Sequence, residues 1–433
     1  MTPSARLSAA IEVMADIEAS RRPAADALKA WGLAHRFAGS GDRAAIAGLV
    51  YDALRRKASA AWMMGEDTAR AILFGALRLG RGLDADAITG LADGGRFAPA
   101  PLTAGERERL TSVSFEDAPP WVQGDYPEWL DESFARVFGD ERAVEGAALA
   151  SRAPLDLRVN SLKAQREDII AELTDLDIDT ARWSPDGLRI SMVGQCRNPA
   201  VHAEPAYIKG RIEIQDEGSQ LAALLAGAKP GEMVIDLCAG AGGKTLALAA
   251  AMGNSGQIFA TDLDKRRLGP IHERIERAGV RNVQVRIPRG GDDPLADMAG
   301  QADLVVVDAP CTGTGTWRRN PDAKWRIRPG ALEQRRKEQA DILDRAVALA
   351  KPGGRVAYIT CSVLAEENGD QVRACIERHP EISLVAPAET TEVLGERAFM
   401  FRHAVMMLEE GLQMTPRRTG TDGFFFAMLR RAG

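Results

Sequence analysis

The stretch VIDLCAGAGGKTLALAA, residues 234–250, decides how the chain is read. A buried-strand run ends in Asp236, a glycine-rich turn follows, and an alanine- and leucine-rich segment continues as a helix. Two kinds of ligand loop look like this. A phosphate-gripping loop needs G-x-x-x-x-G-K-[ST], because the first glycine starts the curl around the phosphates. Counting back from Gly243-Lys244-Thr245, that position is Cys238, so a nucleotide-triphosphatase reading fails at its first residue. A dinucleotide turn needs G-x-G-x-x-G, and GAGGKT lacks the third glycine in register. What remains is a Rossmann-like turn in which Gly240, Gly242 and Gly243 let the backbone approach a ligand closely.

Downstream of this turn, strands and helices alternate. MVIDLC, QIFATDL, VQVRI, ADLVVVDAP and RVAYITCS read as strands, and TLALAAAM, RRLGPIHERIERAG and ALEQRRKEQADILDRAVALA as the helices between them. TDGFFFAMLRR supplies a final strand. Such an alternation implies a parallel sheet covered on both faces, with ligands bound beyond the carboxyl ends of the strands. Asp262 closes the second strand, where an acidic side chain can accept hydrogen bonds from two ribose hydroxyls. With the dinucleotide pattern absent, S-adenosylmethionine is the cofactor that fits.

Upstream, the texture is different. Residues 1–140 read as helical: Leu7, Ile11, Met14 and Ile17 recur at helical spacing behind Ser4 as a cap. Ile46, Leu49, Val50, Ala53 and Leu54 share one face of DRAAIAGLVYDALRRK. Arg55, Arg56 and Lys57 close that helix, where the dipole favours positive charge, with RNA contact as the alternative use. Between the two regions, roughly 142–213, LDLRV and RISMV alternate as strands of a small α/β unit. The expected fold class is α/β: a Rossmann-like domain at 214–433 with a mainly parallel seven-stranded sheet, preceded by the α/β subdomain (142–213) and an all-α domain (1–140).

Composition narrows the function classes. A net charge of −6 over 433 residues excludes a general polyanion trap, so nucleic-acid contact needs a local basic face. No continuous apolar run suits a membrane span, and acidic residues interrupt the N-terminal apolar pattern, so no secretory signal is expected. Cys196, Cys238, Cys311, Cys361 and Cys375 form no CxxC pair, and the histidines show no HxxxH spacing. A disulfide framework or metal site is not expected, and a cytoplasmic location is.

The unusual residues fall at two later strand ends. DAPCTGTGTWRRNPDAKW places Asp308 and Cys311 at one, and TCSVLAEEN places Cys361 at the next. A single cysteine there reads as a small buried hydrophobe. Two at neighbouring ends, beside an aspartate, suit methylation of cytosine at carbon 5, which needs a thiolate adding to carbon 6, an acid near ring nitrogen 3, and a base for the carbon 5 proton. Next, WRRNPDAKWRIRPGALEQRRK concentrates Arg318, Arg319, Lys324, Arg326, Arg328, Arg335, Arg336 and Lys337 around Trp317 and Trp325. Guanidinium groups clasp phosphates and indoles stack bases, so this segment is expected to bind single-stranded or looped RNA. Arg158, Asn160 and Lys163 in LRVNSLK would extend the groove.

VIDLCAGAGGKT, VVVDAPCTGTGTWRRNPDAKW and AYITCSVLAEEN, in that order and spacing, resemble the RNA 5-methylcytosine methyltransferases of the RsmB/Sun (NOL1/NOP2/Sun) family. The resemblance extends over about residues 152–433, and DRAAIAGLVYDALRR resembles the NusB-like helical RNA-binding domain of RsmB-type members. It implies that Cys361 is the nucleophile, that Cys311 promotes product release, and that Asp308 hydrogen-bonds the flipped cytosine and lies beside the cofactor. It also implies that Cys238, Ala239, Gly240, Ala241, Gly242, Gly243 and Lys244 line the cofactor, with Asp262 on the ribose and Lys244 orienting nearby carboxylates. The family's adenine-side aspartate has Asp292 as its counterpart here, with Asp293 the alternative, in a segment of altered spacing. The expected partner is RNA, ribosomal before transfer RNA, bound by a monomer. The competing reading is a non-enzymatic RNA-binding factor with an inactive catalytic remnant.

Overall fold

The computed structural model describes residues 1–112, 114–192, 199–288 and 292–433. Cys196 and the last residue of the RISMV strand, 193, lie outside them. The described residues divide into two compact units, Met1–Arg152 with Trp317–Ile327, and 153–192 with 199–316 and Arg328–Gly433.

The first unit is helical. Helices Pro3–Ser20, Ala24–Ala34, Ser40–Arg55, Lys57–Met64 and Ala69–Arg81 enclose Leu7, Val13, Met14, Ile46, Val50, Ile72 and Phe74. Thr2, not Ser4, caps the first helix: its side chain accepts from Ala5 N at 3.2 Å, and Pro3 follows as a residue already set for the first helical position. Asp131–Phe138 and Arg142–Ala150 are helices of the same unit, so it runs to Arg152 rather than 140.

The second unit contains both sheets. β1 (Leu155–Val159), β2 (Ile178–Thr180), β3 (Gly187–Ile190) and β4 (Ile212–Ile214) pair antiparallel in the order β2-β3-β1-β4. The larger sheet comprises β5 (Met233–Asp236), β6 (Gln257–Ala260), β7 (Val283–Val285), β8 (Ala302–Asp308), β9 (Ala350–Thr360), β10 (Ile382–Leu384), β11 (Met406–Met407), β12 (Leu412–Gln413) and β13 (Phe425–Arg431). Seven of them, in the order β7-β6-β5-β8-β9-β13-β10, form the expected mainly parallel sheet, with only β13 reversed. The β11–β12 hairpin, not anticipated, adds to β13.

Alternation explains why the strands are apolar throughout. Val234, Leu304, Val306, Ala357 and Ile359 enter one core, while Ile235, Val305, Val307, Val356 and Tyr358 enter the other, so both faces are covered. The segment RRLGPIHERIERAG breaks at Gly269-Pro270 into Lys265–Leu268 and Ile271–Ala278, since proline cannot donate within a helix. The ends of β5, β6, β8 and β9 lie side by side at one edge, with Asp236 in register with Ala260 and Val306, and Asp308 with Ile359.

Candidate active site

The turn after β5 is built on positive-φ glycines, Gly240 at 51° and Gly242 at 85°. A Cβ on Gly242 would run into the Ile271 side chain, so the turn is closed from behind. Gly240 N donates to Asp262 Oδ2 at 3.0 Å, and Asp264 N to Asp262 Oδ1 at 2.9 Å, which fixes that buried carboxylate against the loop. Arg267 pairs with it at 3.2 Å from the exposed side.

Asp236, fully buried, accepts from Thr245 Oγ1 at 2.7 Å through one oxygen, while its Oδ1 has no protein partner. Burial pushes its carboxyl up to about 7, opposed by the Thr245 bond and reinforced by the charge of Asp308. The Lys244 ammonium sits 2.8 Å from Asp308 Oδ2 and 5.0 Å over the Phe424 ring. Cys238 is buried and its thiol is pushed up, first by burial and then by Asp236, Asp262 and Asp308. A cradle with three aspartates, whose lysine is already engaged by one of them, repels a polyphosphate. It suits a ligand carrying positive charge and ribose hydroxyls. Asp292 is exposed, and Asp293 is committed to Arg345 and to Leu295 N at 2.9 Å.

Cys311 and Cys361 leave the ends of neighbouring strands, β8 and β9, and their sulfurs approach to 3.3 Å. The Cys311 thiol is raised well above its ordinary value, chiefly by its hydrogen bond to Cys361 and then by burial. Gly315 N donates to Cys361 O at 3.0 Å, and Gly423 N to Gly315 O at 2.8 Å, tying both cysteine loops to the segment before β13.

The basic segment 317–327 is not the exposed run that its composition suggests. It belongs to the helical unit, where Trp317 stacks at 5.9 Å from Phe134 and is 1% exposed. Lys324 is fully buried, its ammonium donating to Arg55 O at 2.9 Å and Asp125 O at 2.6 Å; burial lowers it to about 7. Arg318 is buried, and its carbonyl accepts from Arg55 Nη2 at 3.0 Å, which gives Arg55 a structural use as well. Trp325 donates from Nε1 to Leu54 O at 2.7 Å, and Arg326 pairs with Asp322 at 3.0 Å. RNA contact by Arg318 and Lys324 is therefore corrected, because their charged groups are turned inward onto backbone carbonyls or covered. Arg319 is half-buried and Arg326 exposed.

The LRVNSLK residues divide similarly. Arg158 is buried, donating to Gln215 Oε1 at 2.7 Å, with its guanidinium pushed down to about 10 by burial. Asn160 is buried and donates to the carbonyls of Gly210 and Ala278, both at 2.8 Å. Both are removed from the groove reading, because each joins segments within the second unit. Lys163 is exposed, with its ammonium resting on Lys209 O and Arg277 O.

Sequence reasoning missed Gln339, Glu367 and Asn368, all buried around the two cysteine loops. A signal existed for the first: Gln339 continues the apolar stripe of Ile342, Leu343 and Ala346 on helix Pro329–Leu349, where a polar side chain must find partners. Among the described residues, no grouping of three or more His, Cys, Asp or Glu could hold a metal, and no helix is long and apolar enough to cross a membrane.

Known proteins match this architecture. The family described as 16S rRNA methyltransferase RsmB/F matches residues 222–430, and an RsmF/B-like ferredoxin-like domain matches 126–195. Ribosomal RNA small subunit methyltransferase B of Sodalis glossinidius is 33% identical over 338 residues, spanning 77% of this chain and 69% of its own. The Cronobacter sakazakii protein of that name is 31% identical over 74% of this chain and 69% of its own. The crystal structure of PH0851 overlays with a TM-score of 0.74 at 26% identity, covering 100% of this chain and 99% of that one. The chain therefore belongs to the RsmB/F family of methyltransferases, whose methyl donor, S-adenosylmethionine, is its cofactor.

Proposed function

We propose that the protein methylates carbon 5 of a cytosine in small-subunit ribosomal RNA through a transient bond between Cys361 and carbon 6. The observation that carries this is the pair of sulfurs 3.3 Å apart at the ends of β8 and β9, three residues from an aspartate that reaches the cofactor cradle through Lys244. S-adenosylmethionine supplies an electrophilic methyl group. Asp262 and the Gly240–Gly243 turn would hold it, and Asp292 would serve its adenine end.

The division of labour between the thiols follows the family resemblance, which gives the nucleophile's role to Cys361. The Cys311 thiol, raised well above its ordinary value by its bond to Cys361 and by burial, keeps its proton at first. The Cys361 thiolate adds to carbon 6 while Asp308 addresses ring nitrogen 3, leaving carbon 5 electron-rich enough to take the methyl group. Once Cys361 is bonded to carbon 6, Cys311 gives up its own proton to solvent and, acting as the base or relaying to it, takes the carbon 5 proton. The carbon 6–sulfur bond breaks as the ring double bond re-forms, and Cys361 departs as thiolate.

RNA would be held by Arg319 and Arg326 of the helical unit, acting as a NusB-like binding domain in the cytoplasm, and, independently, by Lys163 of the second unit. A target base must leave its stack to reach the rim. The test is methyl transfer from labelled cofactor to small-subunit ribosomal RNA and to transfer RNA. Cys361→Ala should lose transfer by at least about a thousandfold while still binding cofactor. Cys311→Ala should leave protein attached to methylated RNA, seen as a slow band on a denaturing gel. Reversed phenotypes would exchange the two roles, and label confined to transfer RNA would overturn the substrate.

A further inference from the structure

Each cysteine of the pair is flanked by residues that a single dipeptide holds. On the Cys311 side, the Glu367 carboxylate accepts from Thr312 N at 2.8 Å and from the Thr312 hydroxyl. Gln339 Nε2 bridges the same carboxylate, at 3.1 Å, to Pro310 O, at 2.9 Å. The residues immediately before and after Cys311 are thereby fixed to Glu367. On the other side, Asn368 Oδ1 accepts from Thr360 Oγ1 at 2.6 Å, and Asn368 Nδ2 donates to Ser362 O at 3.0 Å. The residues immediately before and after Cys361 are thereby fixed to Asn368. The dipeptide is itself anchored, since Tyr358 Oη donates to Glu367 O at 2.6 Å and Asn368 Nδ2 also donates to Gln413 Oε1 at 2.9 Å.

Glu367, Asn368 and Gln339 are 0–1% exposed. The Glu367 carboxylate accepts from neutral donors of Thr312 and Gln339, and burying a carboxylate on neutral donors is costly compared with an apolar filler. That cost is understandable where the bonds fix geometry. We infer that Glu367 and Asn368 are positioning residues for the reaction: Glu367 holds the Cys311 loop, Asn368 holds the Cys361 loop, and their adjacency sets the spacing of the two sulfurs. The inference rests on the proposed roles of the thiols and adds what places them.

The clamp separates the two chemical steps, which a merely structural role would not. Glu367→Gln keeps size but turns an amide NH2 toward donors, releasing the Cys311 loop; full-length protein should add to RNA and methylate it at near wild-type rate. Release should slow by about tenfold or more, so covalent protein–RNA complex accumulates. Asn368→Asp sets carboxylate against the Ser362 carbonyl, and should slow formation of the covalent complex by a similar factor. Thermal stability and S-adenosylmethionine binding are measured on both. Where either fails to bind cofactor, Gln339→Met and Thr360→Val, each deleting one arm of the clamp, carry the same split at about threefold. Cys311→Ala run alongside distinguishes the failures: if it traps complex and Glu367→Gln does not, the clamp is wrong; if it does not trap, the reading of the thiols is wrong. Equal loss of both steps in the Glu367 and Asn368 variants would also overturn the clamp.

Discussion

Asp236 carries the largest readable electrostatic cost in the cradle. Its folded value of about 7 exceeds its ordinary 3.8 because burial penalises the anion. As pH rises from about 4 to 7, the unfolded chain gives up this proton while the folded one keeps it, so stability falls through that window and levels off above it. Asp236→Asn cannot ionise and should therefore gain on the parent between pH 5 and 7.5, by about 1–3 kcal/mol after allowing for the cofactor-free cradle's relaxation. Thermal denaturation of both proteins across that range checks the sign; a constant difference would contradict it. Residue types at these positions were legible as candidates because the proposed ligand chemistry restricts them: glycine for close approach, acid for hydroxyls, thiol for addition. In the structure Asp262 accepts from Gly240 N and Lys244 pairs with Asp308.

At the scale of elements, strands and helices could be read because their apolar periods are local, and turns because glycine and proline mark them. The 317–327 segment could not. Its cations and tryptophans have the composition of an RNA contact, yet Lys324 is taken up by the carbonyls of Arg55 and Asp125, and Trp325 by that of Leu54, all far away in the chain. Lys324→Ala should thus lower the stability of the helical unit by about 2–4 kcal/mol, leaving two buried carbonyls unpaired. Arg326→Ala, which removes only a partly exposed pair with Asp322, should cost below about 1 kcal/mol and act on RNA affinity instead. Differential scanning calorimetry with an RNA titration separates the two. The loop after β8 offers a second check, because a Cβ on Gly315 would sit inside the Gly423 carbonyl group. Gly315→Ala should cost about 2–4 kcal/mol and widen the sulfur spacing, measured as slower covalent complex formation with cofactor binding retained.

For the whole molecule, the division into two units has an asymmetric consequence. The chain leaves the second unit after Thr316, contributes Trp317–Ile327 to the first, and returns at Arg328. A fragment of residues 153–433 should carry Trp317 and Lys324 without their burial and should aggregate; replacing 317–327 by a short glycine-serine linker should restore a soluble, cofactor-binding fragment. Light scattering and cofactor titration of both fragments check this. With Arg319, Arg326 and Lys163 as the proposed RNA cations, RNA affinity should depend on salt through few phosphate contacts rather than many, so the slope of log affinity against log salt should stay small. The central claim concerns one bond. RNA containing 5-fluorocytidine at the target cannot lose its carbon 5 substituent, so incubation with the protein and S-adenosylmethionine should arrest the covalent state, and peptide mass spectrometry should find the nucleotide on Cys361. Attachment at Cys311, or methyl transfer to ordinary RNA with no adduct on either thiol, would contradict the account.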